Sequence, residues 1–130
     1  MSIKIDLSVG ELLDKITILE IKSERISDKN KLVNINKELE VLTRQWESSA
    51  FSKIELKKEF AELKKVNEKL WDIEDAIRDK ERAASLDNEF VELARSVYCT
   101  NDQRAKIKKT INTKTGSELM EEKSYSEYTN

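Results

Sequence analysis

Histidine and proline do not occur in this chain of 130 residues, and glycine (two) and cysteine (one) are nearly absent. Without histidine, neither a Ser-His-Asp triad nor a zinc or di-iron carboxylate site of the usual kind can be assembled. The sequence therefore predicts no metal and no cofactor. Two glycines and no proline are too few turn formers for many short strands, whereas helix interiors need neither. Cys99 alone cannot form an internal disulfide, which makes a reduced compartment the expectation. With no histidine to activate it, it reads as a small buried thiol. The apolar runs are only a few residues long, and the N-terminal MSIKIDL lacks the apolar core of a signal peptide. The reading is a cytoplasmic protein with no membrane span. A net charge of −2 gives no general attraction to nucleic acid or anionic lipid.

What the chain has is charge and helical periodicity. Charged residues make up 38% and apolar residues another 38%, enough to solvate long helix faces and still fill one core. The expected fold is all-α: an elongated antiparallel bundle of two long helical hairpins preceded by a short extended arm. Residues 1–116 form one helical domain, and residues 117–130 a short acidic, partly flexible segment ending in Tyr125 and Tyr128.

Met1 to Leu7 alternates apolar and polar residues and is too short to be a stable strand alone. Ser8 and Glu11 form a capping box for a first helix running to about Ile26, with Gly10 in the first turn, where its entropic cost is least. Leu12, Leu13, Ile16 and Leu19 lie on the main face; Ile18 and Ile21 point roughly the other way, so this helix is covered on two sides. Either it is central in the bundle or its second face meets another subunit, and the expectation is a homodimer through Ile18, Ile21 and Trp46. Asp28 is the N-cap of a second helix whose seam is Leu32, Ile35, Leu39, Leu42 and Trp46.

Ser52 with Glu55 reads as the capping box of a third helix reaching Arg82, roughly 45 Å long. Leu56, Phe60, Leu63, Val66, Leu70, Ile73 and Ile77 form its apolar stripe, and Asn67, Trp71, Glu74 and Arg78 a polar stripe beside it. Asp87 caps a fourth helix, closed by Gly116. Its basic run of Arg104, Lys106, Lys108, Lys109 and Lys114 reads as a solvated helix end rather than a nucleic-acid patch.

In GELLDKITILEIKSERI (10–26), LKKVNEKLWDIEDAIRDKER (63–82), LARSVYCTNDQRAKIKKTIN (93–112) and GSELMEEKSY (116–125), the sequence resembles a family of small bacterial and phage proteins of unknown function. The resemblance implies a helical, cytosolic protein and supplies no activity, cofactor or catalytic residue. The pattern Lys15-Ile16-Thr17-x-Leu19-Glu20-x-Lys22 is also similar to helical chorismate mutases, but Leu13 stands where that family places a substrate-binding arginine.

If the third and fourth helices pivot near residues 84 and 85, Glu74 faces Arg95, Trp71 faces Tyr98 and Asn67 faces Asn101. One reading is structural: an interhelical ion pair, an aromatic contact and an Asn pair that set register. The other is a ligand cleft in which Arg78, Arg95 and Arg104 hold an anion, Trp71 and Tyr98 stack on a ring, Asn101 borders the site, and Glu20 or Glu74 serves as acid or base. The first makes the protein a non-enzymatic helical scaffold or accessory protein acting through protein contacts. The second makes it a small enzyme or binding protein for an anionic metabolite such as a nucleotide or sugar phosphate. They differ over Glu74 and Arg95. A scaffold keeps them paired with no cavity between, whereas a ligand site leaves an arginine open in a pocket of a few hundred Å³.

Overall fold

A computed structural model describes residues 1–125, so Tyr128 lies outside the described residues. The described chain is all-helical: α1 (Val9–Arg25), α2 (Lys29–Ser48), α3 (Lys57–Arg82) and α4 (Asn88–Thr115), with one 3-10 turn at Ala50–Lys53 between α2 and α3. Three helix starts are capped by the residues the sequence implies, although the Ser8–Glu11 box is only half formed, the Glu11 carboxylate going to Lys108. Ser8 accepts from the Glu11 N–H, Asp28 from Asn30 and Lys31, and Asp87 from Phe90. Gly116 closes α4 in the left-handed conformation, at φ 65°.

The start of α3 departs from the sequence expectation. Ser52 does not cap a helix; its hydroxyl donates to the carbonyls of Ser49 (2.8 Å) and Glu47 (3.1 Å), holding the 3-10 turn onto the end of α2. The helix begins five residues later, with Glu55 accepting from the Lys57 N–H. Leu56, at the junction, is buried in the core, and delivering it there takes the residues that would have been the first turn. At 26 residues α3 is about 39 Å long rather than 45 Å.

α1 is the central element and packs against each of the other three helices, while α3 and α4 pack most extensively on each other. Val9, Leu13, Ile16, Leu56, Leu63 and Ile111 form the main core, with Leu39, Leu42, Trp46 and Phe60 packed around it. The second face of α1 is consumed inside the chain. Ile21 is 2% exposed, and Ile18 borders a cleft formed with α3 and α4. Ile21 is thus covered within the chain, whereas Ile18 is half-buried at the cleft. No helix among the described residues is long and apolar enough to cross a membrane.

The same face of α1 carries Gly10, Asp14 and Thr17. A Cβ on Gly10 would lie 2.7 Å from the Lys108 carbonyl oxygen and 3.0 Å from the Asn112 side-chain oxygen. Gly10 is thus required by the close approach of α4, and not merely tolerated in a first turn. That approach also completes the helix start: Gly10 N–H donates to Asn112 Oδ1 (2.6 Å) and Val9 N–H to Ser117 Oγ (3.2 Å). With Ser8 serving Glu11 and Leu12, the first four amides of α1 are all satisfied.

Candidate functional site

Between α1, α3 and α4 lies a cleft of about 390 Å³. α3 supplies one wall with Asn67, Trp71, Glu74 and Arg78, which share a face because they recur at three- and four-residue spacing. α4 supplies Asn101 and Arg104, and Ile18 and Ile21 of α1 border it as well.

The cleft rests on a buried polar network. Asp14 is 1% exposed, and its carboxylate accepts from Arg104 Nε (2.9 Å), from Arg104 Nη2, and from Asn67 Nδ2 (2.9 Å). Asn67 also donates to Thr17 Oγ1 at 2.9 Å. A carboxylate withdrawn from water this completely is tolerable only with such partners. Arg104 is held in its charged form beyond its ordinary range, first by its hydrogen bonds to Asp14, with burial opposing. Its remaining Nη1 lies 3.4 Å from Asn101 Oδ1.

Alongside, Lys108 is buried and paired with Glu11 at 2.8 Å and with Glu121 at 3.4 Å. Lys114 binds the buried Glu59, whose carboxyl is held below its usual range chiefly by that hydrogen bond. Three of the five cations in the basic run of α4 therefore hold the bundle together, which corrects their reading as a solvated helix end. Glu121 is held low by Lys123 and, less strongly, by Lys108, so residues 117–121 are tied back onto the bundle.

The cleft gathers Trp71, Glu74, Arg78, Asn101 and Arg104 from the residues singled out in the sequence, together with Asn67. It does not gather Arg95, Tyr98 or Glu20. Arg95 pairs with Glu92 on its own helix at 3.1 Å, and Glu74 with Arg78 at 3.8 Å. The expected pair between Glu74 and Arg95 is not formed. The register around the turn is nevertheless close to the one expected, because Lys80 reaches Glu89 at 2.9 Å across it. Glu74 and Arg95 are each about half exposed, so nothing forces them to cross the interface when a partner one turn away is available. Glu20 and Trp46 border a separate groove between α1, α2 and the start of α3. Tyr98 is 43% exposed on α4.

Trp71 carries a cation on its ring, with the Arg25 guanidinium 5.9 Å from the centroid. Arg25 is fixed there by Asp72 at 2.6 Å and Glu68 at 3.8 Å. Arg78 is the contrasting group: its side chain is 65% exposed and its Glu74 contact is long. In chemical terms the cleft offers one aromatic surface, one loosely held guanidinium, one rigidly held guanidinium, the Asn101 amide and two carboxylates, Glu74 and Asp75. Among the described residues no group of three or more His, Cys, Asp or Glu is placed to hold a metal ion.

The sequence did not point to Asp14, Glu59 or Asn112, and assigned Glu11 only a capping role rather than its pairing with Lys108. For Asp14 a signal existed: it stands with Gly10, Thr17, Ile18 and Ile21 on the second face of α1, a carboxylate inside a stripe otherwise small or apolar.

A family model described as a family of unknown function, DUF6165, matches residues 3–129, nearly the whole chain. The chain belongs to that family. No curated protein and no solved structure gives a significant match.

Proposed function

We propose that this member of a family without an assigned role is a binding protein for an anionic, ring-containing small molecule, of the class of a nucleotide or sugar phosphate, held in the cleft between α1, α3 and α4. The observation that carries this reading is the state of Arg78. A scaffold would close Glu74 onto Arg95 and leave no space; instead Arg78 stands 65% exposed at the edge of a concave site of about 390 Å³, beside Trp71. That volume lies in the range of small-molecule pockets, roughly 300 to 1,000 Å³. An exposed guanidinium with a 3.8 Å acidic neighbour gives up little when it turns to a phosphate or carboxylate, and Arg geometry suits bidentate capture of both. Trp71 provides the surface for a ring and Asn101 a hydrogen-bonding edge.

Arg95 is not part of the site, which makes it the control. The test is a thermal-shift screen against nucleotides, sugar nucleotides, phosphorylated sugars and simple anions, with wild type, Arg78→Ala, Trp71→Ala and Arg95→Ala. A ligand at 100 times its dissociation constant stabilises by about 2.7 kcal/mol, a rise of about 10 °C for a domain of this size. The expected result is a shift in wild type and Arg95→Ala that is lost or much reduced in the other two. A shift equally present in all four proteins, or no shift with any compound, refutes the reading. The second outcome favours a scaffold acting through protein contacts, to which α2, a helix with no buried residue, would offer a surface.

A further inference from the structure

α2 has the sequence seam of a core helix, yet Leu32, Ile35, Leu39, Leu42 and Trp46 are all only half-buried. The reason is that α2 packs on α1 and little on α3. The space left beside it is a groove of about 570 Å³, larger than the cleft and turned roughly away from it around α1. Its apolar lining includes Leu13 and Ile16 of α1, Leu39 and Trp46 of α2 and Phe60 of α3.

One ionisable group of α1 borders this apolar groove. Glu20 Oε1 has a cation no nearer than Lys64 Nζ at 3.9 Å, and Lys64 is itself committed to Glu24 at 2.8 Å. Glu20 Oε2 is buried and accepts no hydrogen bond from the protein. Burial raises the Glu20 pKa above the usual carboxylate range, with Lys64 opposing it only partly. Lys53, Glu55 and Lys57 also line the groove, but all three residues are exposed, so their charges are hydrated and call for no further partner. The unmet demand is for a hydrogen-bond donor carrying positive charge at Glu20.

We propose that this groove is a second ligand site and that it takes an amphiphilic primary ammonium compound. Its apolar body lies along Leu13, Ile16, Leu39, Trp46 and Phe60, and its ammonium group donates to the Glu20 carboxylate. The site is independent of the cleft, being lined by none of the same residues.

The test is calorimetric titration of the full chain with octylamine, octanol and octanoate, each below its micellar concentration. The wild-type protein alone decides the head group. Octylamine is expected to bind at least tenfold more tightly than octanol, and octanoate more weakly than either. Across hexyl-, heptyl- and octylamine, affinity is expected to rise roughly fourfold per methylene, the value for burying each CH₂ group. Glu20→Gln should bring octylamine to the level of octanol and leave octanol unchanged, and Leu39→Trp, which fills the groove, should abolish both. Equal binding of octylamine and octanol, tightest binding of octanoate, or no saturable heat with octylamine overturns the proposal. So does octylamine binding that Glu20→Gln leaves unaltered in a folded protein.

Discussion

Replacing Gly10 with alanine sets two effects of opposite sign against each other, and the structure decides between them. In an isolated helix the change is favourable by up to about 1 kcal/mol, because alanine loses less backbone freedom. Here the new methyl would stand 2.7 Å from the Lys108 carbonyl oxygen and 3.2 Å from its carbonyl carbon. Both are backbone atoms in the middle of α4 and cannot swing aside. Relief requires α1 and α4 to separate, which costs about 1–3 kcal/mol for overpacking. Separation also lengthens the 2.6 Å bond from Gly10 to Asn112, worth about 1 kcal/mol. The net expectation is a loss of about 1–3 kcal/mol. With an unfolding entropy of about 2.1 cal/mol/K per residue, that lowers the midpoint by about 4–11 °C, read by circular dichroism during a thermal melt. Adding Asn112→Ala should give no rescue, since the nearest obstacle is main chain. An unchanged or raised midpoint in Gly10→Ala would show that helix propensity wins and that α1 and α4 are not in close contact.

Asp14→Ala strands Arg104 and removes a partner from Asn67, so urea unfolding should show a loss of about 3–5 kcal/mol; a loss below about 1 kcal/mol refutes the buried anchor. Glu74→Ala should change stability by less than about 0.5 kcal/mol, because its ion pair with Arg78 is local and solvent-exposed; a loss of 1 kcal/mol or more would restore the cross-helix pairing the sequence suggested. Glu59 and Glu20 should act oppositely with pH. Lys114 depresses the Glu59 pKa, so the stability it contributes is present above pH 4.5 and lost as pH falls through the folded value; Glu59→Gln should lower stability at neutral pH and flatten that acid decline. Burial raises the Glu20 pKa, so its favourable contribution is complete below pH 4.5 and lost as pH rises through the folded value. Glu20→Gln should remove that decline; identical pH profiles for wild type and either variant would refute the corresponding assignment.

The helices were legible because their signals are local. Ser8, Asp28, Asp87 and Gly116 act on backbone groups within a few residues and need no knowledge of the rest of the chain. Ser52 shows where such signals mislead: the same Ser-x-x-Glu spacing was overridden because Leu56 was needed in the core. The candidate cleft was half legible. Asn67, Trp71, Glu74 and Arg78 came together because one helix face brings them together, and Asn101 and Arg104 joined them through the short α3–α4 turn. Tyr98 and Arg95 did not join, because the register of a hairpin does not fix which exposed side chains turn toward the interface. Hidden altogether was the pairing of Arg104 with Asp14 and of Lys108 with Glu11, contacts across 90 and 97 positions that only the placement of α1 beside α4 creates.

That hidden pairing makes the two arginines of the cleft unequal. Arg104 spends its Nε–H and one Nη2–H on Asp14, which leaves fewer donors, chiefly those of Nη1 near Asn101, for anything in the cleft. Arg78 spends one long contact on Glu74 and is otherwise solvated. An anion entering the cleft would therefore be captured by Arg78, because the charge of Arg104 is already matched by Asp14. The two alanine variants should separate cleanly in one experiment that measures both melting and ligand response. Arg78→Ala should leave the unliganded midpoint within about 2 °C of wild type, because an exposed local pair is worth less than about 0.5 kcal/mol. It should also abolish the ligand-induced shift. Arg104→Ala should lower the unliganded midpoint by about 10 °C or more, because it leaves Asp14 buried without its principal counter-charge. If Arg78→Ala proves the less stable of the two, Arg78 is a structural residue and the cleft loses its anion-capturing group.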